Sequence, residues 1–197
     1  MMRKLALLLL LSMLAACNKP EQPSPYHALD VSWRYEQAAP DFQLTDHTGK
    51  VRRLADFRGK VVVLFFGYTH CPDVCPTTLA DWAQVLRRLG TDADKVQVLF
   101  VTVDPQRDTR DVLARFVPSF DPSFLGLYGD AAATAQAAKI FTVNYEKHAA
   151  PGAGYTMDHS DGVFLIGRGG RPVLMSPYAQ PTDVLVQDVR LLLQAVD

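Results

Sequence analysis

The chain has 197 residues, of which 48% are hydrophobic, enough for one well-packed domain and hardly enough for two. Its formal net charge of −1 leaves no basic footprint for nucleic acid, and nothing in the balance recruits acidic substrates. There are no internal repeats, and the only biased tract is a small Ala-rich stretch near 131–138.

The first residues read as a targeting segment rather than as part of a fold. Arg3 and Lys4 precede the apolar run "LALLLLLSML", which is short for a membrane span. The run ends in Leu14-Ala15-Ala16-Cys17, and small residues before a cysteine resemble the bacterial lipobox. That resemblance implies a lipoprotein signal peptide over 1–16, cleavage before Cys17, and acylation of Cys17. Asn18 follows the cysteine, which leaves inner or outer membrane open. The expected location is the periplasmic side of a bacterial membrane, where disulfides persist. Residues 17–39 carry three early prolines and little periodicity, and read as a tether, so the globular domain is expected over 40–197.

From Pro40 onward the elements alternate. Phe42 and Leu44 alternate with polar residues, Asp46-His47-Thr48-Gly49 turns the chain, and Val51 resumes it, which predicts a β-hairpin. "KVVVLFFGY" is apolar on both faces and predicts a buried strand. After Pro76 the period changes: Leu79, Trp82, Val85, Leu86 and Leu89 share one helical face, and Gly90 supplies a stop. "VQVLFVTVD" predicts a second buried strand, completing a β-α-β unit. A helix is expected at about 108–117, capped by Asp108, and another at 130–140. Strands are expected at 142–147, 163–167 and 172–175, and "PTDVLVQDVRLLLQAV" closes the chain as a helix with Pro181 at its start. The pattern is α/β, and the order suggests a thioredoxin-like fold with an N-terminal β-hairpin extension.

The chemistry concentrates in "THCPDVCPT", residues 69–77. With Cys17 assigned to a lipid, Cys71 and Cys75 are the remaining thiols. A domain of this size does not need a crosslink that closes so short an interval, so the pair is read as chemical rather than structural. It lies where the first buried strand ends and a helix begins, the edge at which open α/β sheets put their sites. A helix N-terminus there is expected to lower a thiol pKa. Three residues, "PDV", separate the cysteines, whereas thioredoxin-type reductases use two. Positions i and i+4 on a helical turn are neighbours, able to bond each other or share one ion. A third ligand would favour metal over redox chemistry, and the candidate is His159 in "TMDHSDGVFLIG", expected in a loop facing the cysteine turn. Two sulfurs and one nitrogen make a roughly trigonal Cu(I) site; Cu(II) would want a fourth, harder ligand from Asp73, Asp158 or water, and zinc also accepts this donor set.

The other histidines and the nearby thioether have plainer readings. His70 adjoins Cys71 as a loop residue or a modulator of its pKa. His47, His27 and His148 read as surface residues, and Met157 as packing. Asp104-Pro105 and Arg107-Asp108 read as the strand exit and helix cap, with a possible place along the site.

Together, "GYTHCPDVCPTTL", "VTVDPQRDT" and "DHSDGVFLI" resemble the Sco/SenC family of copper-binding, thioredoxin-fold assembly factors for cytochrome c oxidase. The resemblance runs from about Pro40 to the C-terminus. It departs at Gln106 and Arg110, where the family pattern usually has an acidic residue and a proline. It implies that Cys71, Cys75 and His159 ligate copper, as Cu(I), Cu(II) or both. It also implies that the acceptor is the CuA site of oxidase subunit II, and that a copper donor and a periplasmic thiol reductant serve the protein. A metallochaperone rather than an enzyme is implied, with a Cys71–Cys75 disulfide gating loading. The alternatives are a TlpA-like thiol-disulfide reductase, a peroxiredoxin, and a redox sensor acting through the dithiol. "APDFQLTDHTGK" and "GKVVVLFF" are openings shared across that wider superfamily.

Overall fold

The structure is a computed structural model that describes residues 24–150, 152 and 154–195. The expected signal peptide and Cys17, the expected site of acylation, lie outside these residues. Among the described residues no helix is long and apolar enough to cross a membrane.

The core is built on one mixed sheet. In chain order its strands are β1 (Leu29–Asp30), β2 (Gln43–Asp46), β3 (Val51–Arg53), β4 (Val61–Gly67), β5 (Val96–Thr102), β6 (Leu125–Tyr128), β9 (Val163–Ile166) and β10 (Pro172–Ser176). A separate two-stranded ribbon pairs β7 (Tyr145–Ala150) with β8 (Gly154–His159). The helices are α1 (Val74–Leu89), α2 (Arg110–Phe116), α3 (Ala131–Ile140) and α4 (Thr182–Gln194). Across the sheet the strand order is β1-β10-β9-β4-β5-β6-β2-β3.

β4 is the middle of this arrangement. It runs parallel to β5 with Val61 opposite Val96 and Gly67 opposite Thr102, and antiparallel to β9 with Val63 opposite Leu165. All seven of its residues are buried, which is why the sequence shows no alternation there. α1 buries Leu79, Trp82, Val85, Leu86 and Leu89, the face expected from periodicity, and packs against α4. It ends at Gly90, whose φ of 61° is a conformation glycine adopts without strain. The fold is thioredoxin-like, and the N-terminal hairpin β2–β3 is not an appendage: β2 pairs antiparallel with β6, so the hairpin widens the same sheet. Arg110 holds its turn from below, donating to the carbonyl oxygens of His47 and Thr48. The His47 ring is part of the join, since the Gly126 N–H donates to its Nδ1 at 3.0 Å.

Several boundaries move. The domain does not start at Pro40. β1 pairs with β10 (Leu29 opposite Met175), Ala28 and Tyr35 are buried, and buried Asp188 of α4 accepts from the backbone N–H groups of His27 and Ala28. The second half of the expected tether is therefore packed on the domain. The strand expected at 142–147 begins at Tyr145 and pairs only with β8, and β6 and β8 had no counterpart in the sequence reading. α2 is capped not by Asp108 but by Thr109, whose side chain accepts from the Val112 N–H. Asp108 is turned inward and has another task.

Candidate metal centre

Three elements converge at one end of β4. The chain leaves β4 at Gly67, turns through Tyr68–Asp73, and enters α1 with Cys75 as the second helical residue. Pro76 follows in the first turn, where a missing N–H leaves no helical bond unmade. Cys75 points down into the core and is fully buried, while Cys71 in the turn is half-buried. The Cys75 N–H donates to the Cys71 sulfur at 3.4 Å. No side-chain oxygen caps this helix, and sulfur takes that place.

The third group comes from the ribbon. His159 is the last residue of β8, not a loop residue as expected, and its Nε2 lies 3.4 Å from the Cys75 sulfur. Its Nδ1 is 2.9 Å from the Ser160 carbonyl oxygen, which only an N–H can satisfy, so the proton sits on Nδ1 and the Nε2 lone pair faces the sulfurs. Edge contacts with Tyr68 and buried Phe65, at centroid distances of 5.9 and 6.1 Å, hold the ring's plane. Ligand atoms of Cys71, Cys75 and His159 all lie within 4.8 Å of one another, a spacing that one ion can bridge. Among the described residues this is the one group of three or more Cys, His, Asp or Glu side chains so arranged. His70, half-exposed, contacts Thr69 and stays outside it.

Burial decides the electrostatics of Cys75. It pushes the thiol well above the usual cysteine range, and a backbone hydrogen bond from Tyr68 offsets only part of that. The expected lowering by the helix N-terminus is overturned for this residue, because desolvation of a thiolate in the core outweighs a half-charge at the helix end. The metal-free site is therefore a thiol at Cys75 with the imidazole Nε2 beside it as acceptor.

Asp108 fixes the turn. Its carboxylate, almost fully buried, accepts from the Thr69 N–H at 3.0 Å, the Thr69 hydroxyl at 2.6 Å and the Thr102 hydroxyl at 2.6 Å. It thereby ties the exit of β5 to the start of the cysteine turn. Asp104 does the same for the ribbon, accepting from the Tyr155 hydroxyl at 2.7 Å and pairing with Arg107. Sequence reasoning assigned these residues to a strand exit and a cap. Their signal was the clustering of four charged or polar side chains directly after a buried strand, at the sheet edge that carries the cysteines.

The family model SCO1/SenC matches residues 33–194. The chain belongs to the SCO1/SenC family. The bovine mitochondrial SCO2 homologue is 46% identical over 135 residues, 66% of this chain and 50% of the relative. The chain thus spans about half the length of the mitochondrial relatives it matches. Among solved structures, Bradyrhizobium japonicum ScoI with copper bound is 40% identical with a TM-score of 0.72, covering 78% of this chain and 98% of that one. Apo Sco1 from Thermus thermophilus is 43% identical with a TM-score of 0.71, covering 77% and 90%. The SCO1/SenC match begins at Trp33, within the packed N-terminal segment and ahead of Pro40.

Proposed function

We propose that this SCO1/SenC protein is a copper chaperone that binds one copper ion through Cys71, Cys75 and His159 and hands it to the CuA site of cytochrome c oxidase subunit II. The observation that carries the reading is the convergence of two sulfurs with an imidazole nitrogen whose other nitrogen is already engaged. Thiolate and imidazole together suit Cu(I), and a harder fourth donor such as water would complete Cu(II). A family relative at 40% identity binds copper, which supports copper over zinc.

Delivery follows from the unequal exposure of the donors. Cys71 and His159 are reachable from solvent, whereas Cys75 is buried, so an acceptor exchanges the outer two ligands first and the inner sulfur last. Both sulfurs must be reduced to ligate. Joining them as a disulfide releases two protons and two electrons to an oxidant and leaves no thiolate for the metal, so a thiol reductant resets the site. The same dithiol supplies an accessory reductase activity toward the acceptor's cysteines. A copper donor loads the protein, and a lipid on Cys17, after removal of residues 1–16, anchors it on the periplasmic side of a bacterial membrane. X-ray absorption of the copper-loaded protein tests the central step: sulfur and nitrogen neighbours should coexist around the metal, and a sulfur-only shell would refute the ligand set.

A further inference from the structure

The ribbon that carries His159 makes no backbone ladder with the main sheet; β7 and β8 pair only with each other. A two-stranded ribbon is marginally stable alone, so side chains must hold it against the body. Most of its residues face solvent, and Met157 is the one buried side chain. The polar attachment centres on Arg107, in the loop after β5, with Lys147 of β7 also donating to Gln106 of that loop at 3.2 Å. Its Nη1 donates to the Tyr155 carbonyl oxygen at 2.8 Å, and its guanidinium lies over the Tyr155 ring, 3.6 Å from the centroid. The same guanidinium stands 5.7 Å from the Tyr68 ring, which in turn meets the His159 ring edge-on. Asp104 engages both partners, pairing with Arg107 and accepting from the Tyr155 hydroxyl. Arg107 Nη2 is buried with no hydrogen-bond partner among the described residues, and the stack on the Tyr155 ring is part of what holds the guanidinium there.

We propose that Arg107 is the positioning residue for the third ligand: it seats the β7–β8 ribbon by gripping Tyr155, and thereby sets how long His159 stays on the metal. This rests on the ligand set of the preceding section. Arg107 touches neither sulfur nor imidazole, and its effect on copper passes wholly through the placement of β8.

That route defines the test. Cu(I) retention is measured on the reduced full chain by competition with a chromogenic Cu(I) chelator, for the parent, Arg107→Ala, His159→Ala and the double variant. Arg107→Ala should weaken retention about 10- to 100-fold, the range for groups that orient a metal ligand. Its X-ray absorption should lose nitrogen relative to sulfur. Added to His159→Ala, it should change nothing further. Tyr155→Ala should reproduce the defect, and Tyr155→Phe, which keeps the ring but loses the hydroxyl bond to Asp104, should weaken retention less than Tyr155→Ala. Parent-like retention in Arg107→Ala overturns the inference, as does a loss that persists in full on the His159→Ala background, since Arg107 would then act on the fold. If Arg107→Ala does not fold, Tyr155→Ala carries the same comparison from the ribbon side, and parent-like retention there overturns the inference equally. If His159→Ala itself retains copper like the parent, the ligand set is wrong, and the role of Arg107 falls with it on separate evidence.

Discussion

The imidazole of His159 and the sulfur of Cys75 stand 3.4 Å apart although 84 residues separate them in the chain. Neither could find the other through local structure. One arrives on the first turn of α1 and the other on the end of a ribbon, and the tertiary fold alone makes them neighbours. His159→Ala should therefore cost tight copper binding, by about a hundredfold or more, while sparing the fold and the dithiol. Copper-to-protein ratio after anaerobic reconstitution and desalting checks the first part. Mild oxidation followed by thiol counting checks the second, which should still show a Cys71–Cys75 disulfide.

Gly67 gives a second prediction. A Cβ at this position would sit 2.8 Å from the Cys75 sulfur, 2.8 Å from Phe100 and 3.1 Å from Phe65, all in the packed interior. Gly67→Ala must push the sulfur or the rings aside. Overpacking of this kind costs about 1–3 kcal/mol, which for a domain of this size lowers Tm by roughly 3–10 °C. Copper affinity should fall with it, because the displaced atom is the buried donor. Calorimetry of the metal-free protein beside chelator competition measures both.

The raised pKa of Cys75 sets the direction of two pH dependences. Copper displaces a proton that the folded protein holds tightly, so apparent affinity should climb about tenfold per pH unit for each proton released, from pH 5 to 8. Stability of the metal-free protein runs the other way. Below the ordinary thiol range, near pH 8.5, folded and unfolded chains both keep the Cys75 proton, and its contribution is fully present. Above that the unfolded chain releases the proton and the folded chain does not, so stability falls as pH rises. Urea unfolding at pH 7 and pH 10 checks this, with Cys75→Ala removing the difference due to this group.

Asp108→Ala should loosen the cysteine turn. Three donors lose their acceptor: the Thr69 N–H and the hydroxyls of Thr69 and Thr102, of which Thr102 is fully buried. Stranding them costs about 3 kcal/mol, visible in chemical unfolding. Alkylation should also change: in the parent, half-buried Cys71 reacts before buried Cys75, and the variant should narrow that gap.

What the sequence made legible was whatever the core dictates. The uninterrupted run of β4 could be nothing but a central strand, and the buried face of α1 was written in Leu79, Trp82, Val85, Leu86 and Leu89. The site was legible through its residue types and spacing, since Cys71, Cys75 and His159 do meet. Elements that bury little were not. β8 reads "GYTMDH", and its alternation rests on Tyr155 and Met157 alone, too short a pattern to mark a strand, so His159 looked like a loop residue. β6 is four residues long with Gly126 inside, and Gly126 is there because a side chain would meet Val117 and Leu113. Asp108 and Thr109 are both good caps, and sequence does not say which one turns inward; Thr69, 39 residues away, decides it.

The docking of β1 has a practical side. β10 would otherwise be the rim of the sheet, showing unpaired amides and carbonyls to any extended peptide nearby. Leu29 and Asp30 cover that rim, and the amides of His27 and Ala28 are hooked to Asp188 just ahead of them. A chain trimmed at Pro40 for crystallisation or biophysics would strip this cover and leave the Asp188 carboxylate without its two donors. Self-association and poor solubility would follow from the cut itself, so a soluble version should keep everything from Tyr26 onward.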